Sequence, residues 1–161
     1  MNTLEMEIAL MYYFGITKNL IIPNVTDQSG LVRFESDILV LSKSGYATCV
    51  EIKVSKADLK NDLKKTHIKN CNSSVGFKRY FSNLKYFYYA VPKNLESEAL
   101  NQIPSFAGLF VIDKYKGRSK VKVVRKPEML FQTKWTDKMT YQLARLGALR
   151  ILKYKSKLLK L

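Results

Sequence analysis

Residues 35–62 read ESDILVLSKSGYATCVEIKVSKADLKND, and the fold turns on their middle part, CVEIKVSK at residues 49–56. Val50, Ile52 and Val54 alternate as β-branched residues do in a strand with one buried face. Glu51 and Lys53 fall on the other face, because side chains at i and i+2 share a side. Upstream, residues 34–41 predict a second strand, and Ser-Lys-Ser-Gly at residues 42–45 predicts the hairpin turn joining the two. Such a hairpin carries Asp37 across to Glu51. Two carboxylates and one amine then converge on a small patch of a sheet whose other face is apolar.

The chemistry of that patch is specific. Clustered carboxylates repel unless a cation neutralises them. Mg²⁺ prefers oxygen ligands and usually takes one or two carboxylates, several waters and a substrate phosphate. A metal so held lowers the pKa of bound water and shields phosphoryl charge. An adjacent lysine orients that water or stabilises the developing charge. These are the parts needed to hydrolyse a phosphodiester. The other reading is a salt bridge of Glu51 with Lys53 or Lys43 on a solvated sheet face.

The chain has 161 residues, with 28 Lys and Arg against 13 Asp and Glu and a formal charge of +15. Its length predicts a single domain spanning residues 1–161, large enough to bury a sizeable core. The charge favours a polyanion, either nucleic acid or an anionic membrane surface, or else serves only solubility. Cys49 and Cys71 are too few for a disulfide framework and have no zinc spacing. Glu5 and Glu7 stand where a signal peptide would be basic and then apolar, and no apolar run is long enough to span a bilayer. The expectation is a soluble, reduced, cytoplasmic protein with no membrane partner.

Outward from the hairpin, residues 3–14 predict a helix capped by Thr3 and ended by Gly15, with Leu4, Ile8 and Met11 inward. Residues 20–25 predict a strand. Ser55 predicts a helix cap with Asp58 completing a capping box, and the helix runs to about Lys69 with Leu59 and Leu63 inside. Residues 70–83 are polar and basic and predict mostly loop. Further strands are expected at 86–91, 107–113 and 121–125, and a short helix at 96–103. A long basic helix is expected at about 136–160, with Met139, Leu143, Leu146 and Ile151 inward. The sum is an α/β fold, α-β-β-β-α-β with a central mixed sheet flanked by helices, plus the C-terminal helix.

Asp37 followed by Glu51-Ile52-Lys53, inside helix, strand, hairpin, helix and strand, resembles the PD-(D/E)xK nuclease superfamily. Residues 35–62 also resemble one branch, the small bacterial MmcB-like proteins associated with DNA repair. YFYYAVP (86–92), AGLFVID (107–113) and VVRKP (123–127) agree with that branch, so the similarity spans about residues 5–127. Ser36 stands where the motif has proline. The resemblance implies a restriction-endonuclease-like core over about residues 3–127 and a divalent-metal nuclease acting on DNA, in repair, recombination or processing. It implies Asp37, Glu51 and the Ile52 carbonyl as ligands of Mg²⁺, for which Mn²⁺ can substitute, and Lys53 as the support of the attacking water. It also implies a glutamate from the first helix near the metal, Glu7 first and Glu5 second, and, for cutters of branched DNA, a homodimer. The alternative role for Glu7 is to complement the helix dipole. At 3.6 residues per turn Glu5 and Glu7 lie about 200° apart, so both cannot reach one metal.

Lys56, Lys60 and Lys64 recur at helical spacing, either to track a phosphate backbone or as a solvated face paired with Asp62. Phe77-Lys78-Arg79-Tyr80-Phe81 interleaves bases with aromatics, which suits phosphate contact and base stacking, or plugs the edge of the core. His67, the one histidine, reads as a surface or capping residue before it reads as a catalyst. The basic, amphipathic end of the last helix either packs or makes a second contact with nucleic acid or a membrane surface. Two functions compete with a nuclease: a non-catalytic nuclease-fold module that binds nucleic acid, and a basic structural protein that meets anionic lipid.

Overall fold

The computed structural model describes residues 1–72 and 74–159, apart from the side chains of Asn72 and Ser74. Among them six strands form one mixed sheet: β1 (Leu20–Val25), β2 (Ser36–Leu41), β3 (Ala47–Ile52), β4 (Tyr86–Pro92), β5 (Gly108–Tyr115) and β6 (Arg118–Arg125). Strand order follows chain order. β1–β2, β2–β3 and β5–β6 pair antiparallel, whereas β3–β4 and β4–β5 pair parallel because helices carry the chain back between them. The β2–β3 turn closes with the Gly45 N–H donating to the Ser42 carbonyl, and φ of 83° at Gly45 demands glycine.

Helices cover both faces. α1 (Thr3–Tyr13) lies on one, burying Met6, Ala9 and Leu10 against Ile38, Val50, Ile52 and Phe110. α2 (Lys56–Asp62), α3 (Thr66–Lys69), α4 (Ser74–Phe81), α5 (Glu96–Gln102) and α6 (Asp137–Leu158) follow in chain order. Leu59, Ile68, Ala99 and Leu143 join the larger core on the opposite face with Leu39, Cys49, Phe87 and Leu109. β3 is therefore buried on both sides, as a central strand beside a parallel neighbour should be.

Several expectations need correction. α1 is apolar on more than one side, and Leu4 and Ile8 are 61% and 47% exposed while Met6, Ala9 and Leu10 face the sheet. Its cap is Asn2 rather than Thr3: Asn2 and Glu5 exchange side-chain to backbone bonds, completing a capping box. Ser55 caps α2, but Asp58 accepts from the Val54 N–H instead of the cap residue's own. The helix expected to reach Lys69 breaks after Asp62 and resumes at Thr66. Residues 74–81 are a helix, not loop, since Phe77, Tyr80 and Phe81 recur at i, i+3 and i+4 and pack into the core. Ile151 is 59% exposed, because α6 has by then run past the apolar core. The expected end of that helix at residue 160 lies outside the described residues.

Candidate active site

Ile38 pairs with Val50, so the next rung sets Asp37 opposite Glu51. Asp37 Oδ2 accepts from the Ile52 N–H at 2.7 Å, extending the strand contact through a side chain where β2 begins. Ser36, the proline position of the motif, is buried; its hydroxyl donates to the Ile38 carbonyl at 3.0 Å and lies 3.0 Å from Cys49 Sγ. The Lys53 N–H continues the ladder to the Ala90 carbonyl at 2.9 Å. Glu51 has the parity of Ala47 and Cys49, so it points into the larger core, not to a solvated face. Glu51 and Lys53 are only 1% and 4% exposed, which excludes the solvated salt bridge.

Lys53 Nζ is the hub. It lies 2.9 Å from Glu51 Oε2, 3.1 Å from Asp62 Oδ1 and 3.6 Å from Asp37 Oδ2. Lys65 Nζ adds a second cation, 2.6 Å from Asp62 Oδ1 and 3.8 Å from Glu51 Oε2. The Tyr89 hydroxyl donates to Asp62 Oδ2 at 2.9 Å. Asp62 Oδ1 is held between two ammonium groups by charge rather than by aligned hydrogen bonds. Glu51 Oε1, by contrast, is buried without a partner among the described residues. Asp37 is the open member, its side chain 31% exposed.

Burial pushes the Glu51 carboxyl up to about 8, Lys53 opposing and the Asp37 and Asp62 charges adding to the rise. Burial also penalises the charged forms of Asp62, Lys53 and Lys65, but their partners outweigh it: Asp62 is held below the usual carboxylate range, and both lysines above theirs. Asp62 is thus the fixed anion of the cluster, and Glu51 the carboxyl whose charge depends on what it meets.

Glu7 is half-buried, and its carboxyl is raised first by burial and then by the Asp37 charge, with a bond from Asn24 opposing. Glu5 points elsewhere and pairs with Lys114 of β5 at 2.7 Å. Lys56 is engaged with Glu98 of α5 at 2.5 Å, and Lys64 lies beyond the end of α2, so the three-lysine stripe is not continuous. Lys78 and Arg79 are exposed on α4, Arg79 lying 5.8 Å from the Tyr80 ring. Asp62, read from sequence as a surface partner for lysines, is 1% exposed at the heart of the cluster, and Lys65 and Tyr89 were missed altogether. The i, i+3 spacing of Asp62 and Lys65 was the available signal.

No family model and no curated protein matches the chain. Among solved structures it is similar to a protein of unknown function from Silicibacter pomeroyi, at 18% identity and a TM-score of 0.60, covering 95% of this chain and 88% of that one. That likeness shows a shared α/β fold.

His67 is buried, stacked on Phe34 at 4.2 Å with planes 10° apart, and its Nε2 has no partner among the described residues. Burial pushes the imidazole down to about 4, Asp62 opposing and Lys65 and Lys53 reinforcing. A folded value below the unfolded 6.5 makes the neutral ring stabilising above pH 6.5, and that stability drains away as pH falls towards 4. The acid limb of the unfolding curve should therefore lose up to about 3 kcal/mol from this group. His67→Phe keeps the stacked ring and should flatten that limb; urea melts from pH 4 to 7 check it.

Proposed function

We propose that the chain is a divalent-metal-dependent nuclease of the PD-(D/E)xK type that hydrolyses DNA phosphodiester bonds. The observation that carries this reading is a buried lysine bound to Glu51 and Asp62 beside a part-exposed Asp37, with Glu51 Oε1 left unpartnered. An unpaired carboxylate oxygen in a core is costly, and a hard cation reaching it from the Asp37 side would remove the cost. Among the described residues no three His, Cys, Asp or Glu side chains are grouped to hold a metal. Two carboxylates nevertheless suffice for Mg²⁺, which keeps most of its waters.

Asp37 and Glu51 are the residues that would hold Mg²⁺ or Mn²⁺, with the Ile52 carbonyl as a third donor. The ion supplies a metal-activated water and shields charge on the phosphoryl group. Lys53 keeps its proton and presents an ammonium to the attacking water or a phosphoryl oxygen. Asp62 and Tyr89 keep Lys53 from collapsing wholly onto Glu51. Glu7 adds negative charge beside Asp37. The +15 charge of the chain draws the polyanion in and makes binding steeply salt-dependent.

The test is incubation with a panel of labelled single-stranded, duplex and branched DNA in Mg²⁺, Mn²⁺ or EDTA. Cleavage with either metal and none in EDTA is expected. Binding of every substrate without cleavage would favour the non-catalytic module, a reading supported by the seat of Lys53 Nζ on Glu51 Oε2.

Glu7 and Glu5 give a paired prediction. Glu7→Gln removes a charge felt by Asp37 and should raise the Mg²⁺ concentration needed for half-maximal cleavage several-fold. Glu5→Gln breaks only the exposed pair with Lys114 and should leave it unchanged. A Mg²⁺ titration of both proteins checks it, and equal curves would take Glu7 out of the site.

A further inference from the structure

The inner seam of α6 runs through residues 139, 143, 146, 150, 153 and 157, steps of four and three that keep to one side of a helix. Its first half is apolar: Leu143 is buried, and Met139 and Leu146 pack against the larger core. At Gly147 the helix crosses β1 so closely that an added Cβ would stand 2.6 Å from Ile22 Cδ1. Past that crossing the same seam becomes Arg150, Lys153 and Lys157, although it still faces the body of the protein. Together with Tyr154 these residues wall a cleft of about 290 Å³.

The opposite wall is Asn24 and Thr26, which follow β1's turn of chain, and Glu35, two residues before Asp37. Asn24 adopts φ of 55°, a left-handed conformation that asparagine tolerates. Its carbonyl accepts from Arg150, and its side chain bonds to Glu7. The cleft therefore borders the candidate active site. Three cations against one carboxylate leave it with a net charge of +2. An apolar seam that turns cationic where it overhangs a cleft is complementary to a polyanion narrow enough to enter.

We propose that this cleft seats one strand of nucleic acid, its phosphates held by Arg150, Lys153 and Lys157 and a base against Tyr154, and guides it to Asp37 and Glu51. The proposal rests on the nuclease reading for the direction of travel, but its binding step does not depend on catalysis. A single strand suits the dimensions, and base–aromatic stacking is tolerant of sequence. A bilayer is the poorer fit: it cannot enter a cleft, and the exposed apolar residues Ile151, Leu152 and Leu158 lie on the outer side of the helix.

The test is binding in EDTA, so that it stands apart from cleavage. A labelled oligothymidylate about twenty nucleotides long is titrated against the full chain at several salt concentrations. The triple variant Arg150→Gln, Lys153→Gln, Lys157→Gln should lose about tenfold or more in affinity, and its log–log salt slope should shrink by about 2, near 0.7 for each phosphate released. Matching substitution of Lys116, Lys120 and Lys122 on the β5–β6 hairpin should change the slope by less than half as much. Glu35→Gln removes the opposing charge and should tighten binding about two- to threefold, a gain that misfolding cannot produce. Unchanged affinity in both the triple and Glu35 variants would overturn the proposal. So would a triple variant that keeps its hold on DNA but no longer floats with vesicles of equimolar phosphatidylglycerol and phosphatidylcholine. Absence of cleavage by the parent protein, with these binding results intact, would sink the nuclease reading alone.

Discussion

Asp37→Asn and Glu51→Gln should each lower metal-dependent cleavage of DNA by about 10²–10³ or more, while binding in EDTA stays intact or improves. Each replacement keeps size and removes one of the two charges that face a cation. Loss of a negative charge next to the phosphate path can only help binding. The usual objection to such variants, that they unfold, is answered by Glu51 itself. Its folded value of about 8 lies above the ordinary 4.5, so as pH rises between them the unfolded chain ionises first and stability falls. Glu51→Gln escapes that penalty. It should gain stability relative to the parent from pH 5 to pH 8, by up to a few kcal/mol. Mg²⁺ should raise the melting temperature of the parent and not that of Glu51→Gln. A Glu51→Gln protein that cleaves at the parental rate would end the proposed mechanism.

Asp62→Ala should be the most destabilising single change in the cluster, about 3–5 kcal/mol, because it strands two ammonium groups and a buried hydroxyl. Tyr89→Phe should cost less, about 1–3 kcal/mol, since Asp62 keeps both lysines. The decisive measurement is the double variant. Asp62→Ala with Lys53→Met removes the charge that the single change leaves uncompensated, so it should be more stable than Asp62→Ala alone. Urea melts of the four proteins give the coupling. Strict additivity would show that Lys53 and Asp62 do not act on one another. Cleavage should fall in Asp62→Ala even below its melting temperature, because Lys53 is then free to settle on Glu51.

The trio was legible because strand parity is unambiguous: residues two apart share a face, and a hairpin fixes which residues oppose. Helical faces were harder. α1 offers apolar residues at 4, 8 and 11 and also at 6, 9 and 10, and periodicity alone does not say which set meets the sheet. Asp62 sits among lysines in sequence, so it read as a solvated partner; only the break after α2 turns it inward beside Lys65. α4 was hidden by its polar residues, though its aromatics were correctly spaced. The basic end of α6 read as amphipathic, but sequence could not reveal that its cations lie on the side facing the body.

Strand order equal to chain order also has a kinetic meaning. Each strand, once made, finds its partner already waiting beside it, so the sheet can grow one neighbour at a time without long loops to close. The exception is the last element. α6 returns to β1, the first strand, across Gly147 and Ile22, and residues 126–136 bring it there, with Trp135 anchored to the Gly45 and Asn83 carbonyls. A nascent chain that has reached β6 owns every residue of the carboxylate–lysine cluster but has no cationic wall beside it. Synthesis thus supplies the polyanion cleft last, as the same step that seals the uncovered side of β1.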